Sequence, residues 1–243
     1  MAGLRRLFIP TILVSVLLLL FGCFLLSSPE DDQSLPLIHK QDFETTPIGQ
    51  LPSGWEILNF HDSPDEPSVV DAPVALGEGN RVLCIERTAS SPNISGQATY
   101  CFTPVSRKLR LTFKMWNTSD LRSLRVSLGG TAGNPGEIHN SFSKTAIFLI
   151  TAGEKIRILK DAKHNEWIDV GDYTPNQWYT VTLEIDIGTQ TFDVYVDHSE
   201  VPGNETPLSF YNENPDLNTV AFGYQHASNT APIYIDDVEI WGK

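Results

Sequence analysis

"WYTVTLEIDIGTQTFDVYVD", residues Trp178 to Asp197, decides the fold of this chain. Val181, Leu183, Ile185 and Ile187 alternate with Thr182, Glu184 and Asp186. A Gly188-Thr189-Gln190-Thr191 stretch interrupts, and Phe192, Val194 and Val196 resume the alternation against Asp193, Tyr195 and Asp197. Successive side chains of a strand point to opposite faces, so this spacing predicts an antiparallel hairpin with one apolar and one polar face.

The same period runs outward in both directions. "KLRLTFKMW" sets Leu109, Leu111, Phe113 and Met115 against Arg110, Thr112, Lys114 and Trp116. "SLRVSLGG" sets Leu124, Val126 and Leu128 against Arg125 and Ser127. "TAIFLITAG" is apolar on both faces and predicts a central strand, and "EKIRILKD", "NTVAFGYQHA" and "PIYIDDVEIW" add further strands. No long helical pattern appears after Asp42. Roughly ten to thirteen strand-like runs separated by Gly, Pro, Asn and Asp predict an all-β, two-sheet antiparallel β-sandwich over residues 42–243. The length suits a single domain.

The N-terminus reads differently. Arg5 and Arg6 precede an uncharged stretch from Leu7 to Leu26, which as a helix is about 30 Å long and spans a bilayer. Residues 1–26 therefore read as a hydrophobic anchor helix, with the arginines on the cytoplasmic side and the rest exported. "LFGC" resembles a bacterial lipobox, in which Cys23 is the lipidation site; an uncleaved signal anchor and a cleaved secretory peptide are the other two fates. Residues 27–41, polar with two prolines, read as a tether. The expected location is extracytoplasmic and membrane-anchored, at the cell envelope or surface. Cys84 and Cys101 lie in two strand-like runs and are candidates for a disulfide in an oxidising compartment; separate buried thiols are the alternative.

Acids outnumber bases by 30 to 17, and Lys and Arg do not cluster, which excludes nucleic acid as a partner class. A neutral glycan or a divalent cation suits such a surface.

"QDFETTPIGQLPSGW" at the start, "GEGNRVLCIE" after it and "IYIDDVEIWG" at the end, together with the hairpin, resemble the concanavalin A-like lectin/glucanase jelly rolls, including LamG-like domains and carbohydrate-binding modules. The resemblance covers about residues 42–242. It implies that the first and last strands lie side by side, which crowds Asp42, Glu44, Asp236 and Asp237. Such carboxylates repel unless one is protonated or a cation sits between them. A structural Ca²⁺ on these four acids is the expectation, with a bulge at Asp236-Asp237 aiming both at one side; solvated acids protecting an edge strand are the alternative.

"EIDIGT" (Glu184 to Thr189) looks like the start of the laminarinase-type hydrolase signature, but Gly188 and Thr189 stand where its acid belongs. No histidine pair, nucleophile elbow or phosphate loop supplies another enzyme signature. The leading expectation is a non-catalytic glycan-binding or surface-recognition module. The alternatives are a polysaccharide hydrolase or lyase and a structural or adhesive envelope protein. Trp116, Lys114, Arg125, Trp167, Tyr224 and His226 are the candidate ligand-binding residues, because rings stack on sugars and polar groups bond their hydroxyls. Trp55, Trp178 and Trp241 are assigned to the core.

Overall fold

The computed structural model describes residues 35–58, 66–73, 80–86, 96–119, 124–130, 145–161, 166–200, 207–213, 216–224 and 231–243. The segment read as an anchor, Cys23, most of the segment read as a tether and His226 lie outside the described residues.

Sixteen strands and no helix are found among the described residues. In chain order they are β1 (Leu37–Gln41), β2 (Trp55–Leu58), β3 (Ser68–Asp71), β4 (Arg81–Ile85), β5 (Gln97–Val105), β6 (Lys108–Asn117), β7 (Leu124–Gly129) and β8 (Thr145–Thr151). Then come β9 (Lys155–Asp161), β10 (Glu166–Asp172), β11 (Trp178–Asp186), β12 (Thr191–Val196), β13 (Ser199–Glu200), β14 (Leu208–Ser209), β15 (Leu217–Tyr224) and β16 (Ile233–Gly242).

They form two antiparallel sheets. The nine-stranded sheet runs β13-β12-β11-β6-β16-β4-β3, with β1 also on β16 and β14 also on β12. The seven-stranded sheet runs β10-β9-β8-β7-β15-β5-β2. The hairpin forms as the alternation predicts: Val181 pairs with Val196, Leu183 with Val194 and Ile185 with Phe192. Gln190 closes the turn with a left-handed backbone.

Alternation sorts the side chains into layers. Leu109, Leu111, Phe113 and Met115 of β6 meet Ile233, Ile235, Val238 and Ile240 of β16 in the core, all nearly fully buried. Phe113 from one sheet packs edge-on against Phe222 from the other, with ring centroids 5.2 Å apart. Phe222 in turn stacks on Trp55. Burial of these aromatic and aliphatic surfaces is the principal term holding the layers together.

β8 is buried along its whole length, as its two-sided apolar pattern requires. Its second face carries Phe148 and Ile150, which with Ala152 and Leu159 form a smaller cluster backed by Trp167 and Tyr211. The middle of the outer face of the seven-stranded sheet is therefore covered, while Cys101 and Asp169 on the same face stay exposed. Ser127, Thr99 and Ala221 on that face are all buried.

Two sequence expectations are corrected. The tether does not extend to residue 41, because Leu37–Gln41 is a strand paired with Val238–Trp241. His39 stacks on Tyr100 at 3.8 Å and accepts the Trp55 indole N–H, so this segment is docked on the domain. Cys84 and Cys101 do not form a disulfide. Their strands belong to different sheets, and both thiols are free, with Cys84 buried and Cys101 exposed.

Candidate functional site: the outer face of the nine-stranded sheet

Strand register collects side chains that are far apart in sequence. Cys84 of β4 pairs with Tyr234 of β16, Tyr234 with Trp116 of β6, and Trp116 with Trp178 of β11. All four positions point away from the core, so three aromatic rings lie in a row across three adjacent strands. Each ring is partly exposed. The Trp116 and Trp178 centroids are 5.7 Å apart with their planes at 70°. Edge-to-face contact of this kind satisfies the ring quadrupoles and leaves ring surface free.

The next row along the strands is polar. Asp236 pairs with Lys114, and Lys114 with Thr180. Here β16 bulges: its register against β6 shifts between Asp236 and Glu239, and Asp237 has a left-handed backbone with φ of 45°. The bulge coincides with a change of partner. On its other edge β16 pairs with β4 through Ile233–Ile235 and with β1 through Val238–Trp241. The extra residue lets β16 serve both partners, and it turns two adjacent acids toward the outer face.

The acids are neutralised by protein groups. Lys114 Nζ lies 2.6 Å from the Asp237 carboxylate. The Asp237 N–H donates to Asp236 Oδ1 at 2.8 Å. Burial pushes the Asp236 carboxyl up to about 7, and the charges of Asp237 and Glu44 push the same way, against the Asp237 N–H and Lys114. Glu44 is thus close enough to Asp236 to act on its charge, as expected of neighbouring first and last strands. Its own Oε1 accepts the Arg81 N–H at 3.1 Å, while Arg81 Nη1 donates to the Glu44 and Thr46 carbonyls. Asp42 accepts the Glu44 N–H. The four acids do not converge as one ligand set, and among the described residues no group of three or more His, Cys, Asp or Glu side chains does. At the bulge Lys114 pairs with Asp237.

The five described candidate ligand contacts do not share one groove. Trp116 and Lys114 lie in adjacent rows of this face. Arg125 points outward from β7, but into the covered middle of its face: it is 5% exposed and its guanidinium sits 4.7 Å above the Phe148 ring. Trp167 lies on that same face, packed at 5.8 Å from Phe148. Tyr224 is core, on the inward side with Val220 and Phe222. His226 is outside the described residues.

Two tryptophans assigned to the core belong instead to the outer face. Trp178 completes the ring row, and Trp241 donates from Nε1 to Glu239. Trp55 is core, as expected. The signal for Trp178 was present, since it shares parity with Thr180, Thr182 and Glu184 in the opening hairpin. Tyr234 could have been found the same way, by its parity with Asp236.

The hydrolase-like residues have structural roles. Glu184 pairs with Arg110 at 3.3 Å, and Asp186 accepts the Thr189 N–H in the hairpin turn.

No protein-family model matches the chain, and no curated protein matches it. Its fold does match solved structures. A sialidase aligns with a TM-score of 0.63 at 14% identity, over 86% of this chain and 19% of the sialidase. The chain therefore spans about a fifth of that protein's length. Cellulose induced protein, Cip1, aligns at TM-score 0.58 and 12% identity over 84% of this chain and 97% of Cip1. Domain 4 of AbnA, a GH43 extracellular arabinanase from Geobacillus stearothermophilus solved with arabinotriose, aligns at 0.51 and 10% identity over 86% and 94%. The likeness is one of fold. It agrees with the jelly-roll sandwich expected from the two terminal motifs and the hairpin.

Proposed function

We propose that this protein is an extracytoplasmic glycan-binding module, held at the membrane by its hydrophobic segment 1–26, with the sugar seated on Tyr234, Trp116 and Trp178. The observation that carries the reading is the register-aligned row of three partly exposed rings beside a polar row of Asp236, Lys114 and Thr180. A sugar offers an apolar ring face and a rim of hydroxyls, and this surface offers a partner for each. Two of the fold's structural matches are a sialidase and a domain of an extracellular arabinanase, the second solved with arabinotriose. A non-catalytic role is supported by Glu184 and Asp186, whose carboxylates are engaged in an ion pair and a turn.

A glycan array probed with the purified protein tests the reading. Binding to at least one glycan, lost in Trp116→Ala and Trp178→Ala variants that keep their β-sheet circular dichroism, is the expected outcome. No binding anywhere on the array counts against it. Membrane retention is tested by fractionation: the full chain should partition with membranes and be released by detergent but not by high salt.

A further inference from the structure

We infer that the glycan is a single, soluble, uncharged chain lying across the strands from β16 to β11, rather than an acidic polysaccharide or the flat face of an insoluble one. This rests on the glycan-binding reading and names its ligand class.

Geometry gives the direction and the physical form. Adjacent strands are about 4.8 Å apart, so the rings of Tyr234, Trp116 and Trp178 span roughly 10 Å perpendicular to the strands. That is room for a short run of sugar rings rather than one. The 70° angle between Trp116 and Trp178 means the two rings cannot both lie flat on one plane. A crystalline polymer surface meets rings that are coplanar; an angled pair grips one chain from two sides. The row of Asp236, Lys114 and Thr180 runs parallel to the rings, one step along the strands, where it can bond the hydroxyl rim of the same chain.

Charge gives the class. Three cations of this face are engaged by carboxylates: Lys114 by Asp237, Lys40 by Glu239 and Arg110 by Glu184. A carboxylated or sulfated sugar arriving at the rings would have to displace one of these pairs. Displacing Lys114 would leave the Asp237 carboxylate unpaired beside the incoming anion, on a chain of net charge −13. Like-charge juxtaposition of this kind suppresses wrong partners. An uncharged chain meets no such penalty, and the ring faces with the carboxylate, ammonium and hydroxyl of Asp236, Lys114 and Thr180 are suited to it.

The test titrates the full-length protein in detergent, following tryptophan fluorescence. The probes are neutral soluble hexasaccharides (cello-, xylo-, manno- and arabino-), acidic oligomers of polygalacturonate and alginate, and suspended microcrystalline cellulose. At least one neutral hexasaccharide should bind, acidic oligomers should bind at least tenfold more weakly, and the insoluble probe should not deplete the protein. Trp116→Ala and Trp178→Ala should each weaken the neutral complex about tenfold, the loss of one stacking contact. Trp116→Tyr, which keeps a ring and guards against misfolding, should retain most of it. Preference for an acidic oligomer, or binding only to microcrystalline cellulose, with either response lost in Trp116→Ala, overturns the ligand class and leaves the site standing. Binding that neither tryptophan variant changes, or no binding to any probe, overturns both.

Discussion

Asp236→Asn isolates the electrostatic strain at the β16 bulge. Asparagine keeps the oxygen that accepts the Asp237 N–H and removes the charge. The Asp236 carboxyl moves from an ordinary value of 3.8 to about 7 on folding, with burial the main cause. Between those two values the folded protein holds a proton that the unfolded chain has released. Unfolding free energy therefore falls as pH rises through this window, is unaffected below it and is fully reduced above it. At ~1.36 kcal/mol per pK step the reduction is about 4 kcal/mol at most. The carboxyl is buried against one sheet face with Lys114 and solvent nearby, so a screened value on the order of 2 kcal/mol is the working figure. The Asn variant should match the parent near pH 4 and exceed it by about 2 kcal/mol at pH 8. Urea unfolding across that range in excess EDTA measures the difference at constant m. A difference that does not change with pH, or a variant less stable than the parent at pH 8, refutes the reasoning. Repeating the series with Ca²⁺ adds a second outcome. Stabilisation of the parent but not the variant would support a structural calcium at the bulge, with Lys114 displaced from Asp237.

Two further outcomes follow from the packing. A Cβ on Gly242 would lie 2.9 Å from Ile38 Cδ1, 3.0 Å from Val105 Cγ2 and 3.2 Å from the Lys108 carbonyl, so Gly242→Ala should cost about 1–3 kcal/mol in urea unfolding; a neutral effect contradicts the docking of β1 on β16. In a Cys23→Ser background the native protein should show one thiol reactive at pH 8, Cys101, while Cys84, which burial pushes up to about 12, reacts only after unfolding; a mass showing both thiols oxidised to one disulfide contradicts the two-sheet placement.

Much of the fold was legible because its strands are amphipathic at strict period two. The hairpin from Trp178 to Asp197 gave register, turn and inward face together, and the break in alternation at Asp236-Asp237 gave the bulge. What period cannot give is which sheet a strand joins or what covers its outer side. Cys84 and Cys101 look like hairpin neighbours in sequence, yet β4 and β5 part to opposite layers. Arg125 does point away from the core, but Phe148 and its cluster cover the face there. Leu37–Gln41 has no alternation of its own; it is a strand through its pairing with β16, with His39 packed on Tyr100 and Trp55. Tyr224 could have been placed by parity with Phe222; its position beside a polar loop in sequence masked that signal. The ring row is the converse case: Tyr234, Trp116 and Trp178 become neighbours only through the registers of three strands.

Oxidative footprinting with a bound neutral glycan tests the choice of face most directly. Tryptophan and tyrosine oxidation is mapped by mass spectrometry with and without the ligand. Protection of Trp116, Trp178 and Tyr234, with Trp167 unchanged, is the result this account predicts. Protection of Trp167 with Trp116 and Trp178 unaltered would put the ligand on the seven-stranded sheet and contradict it.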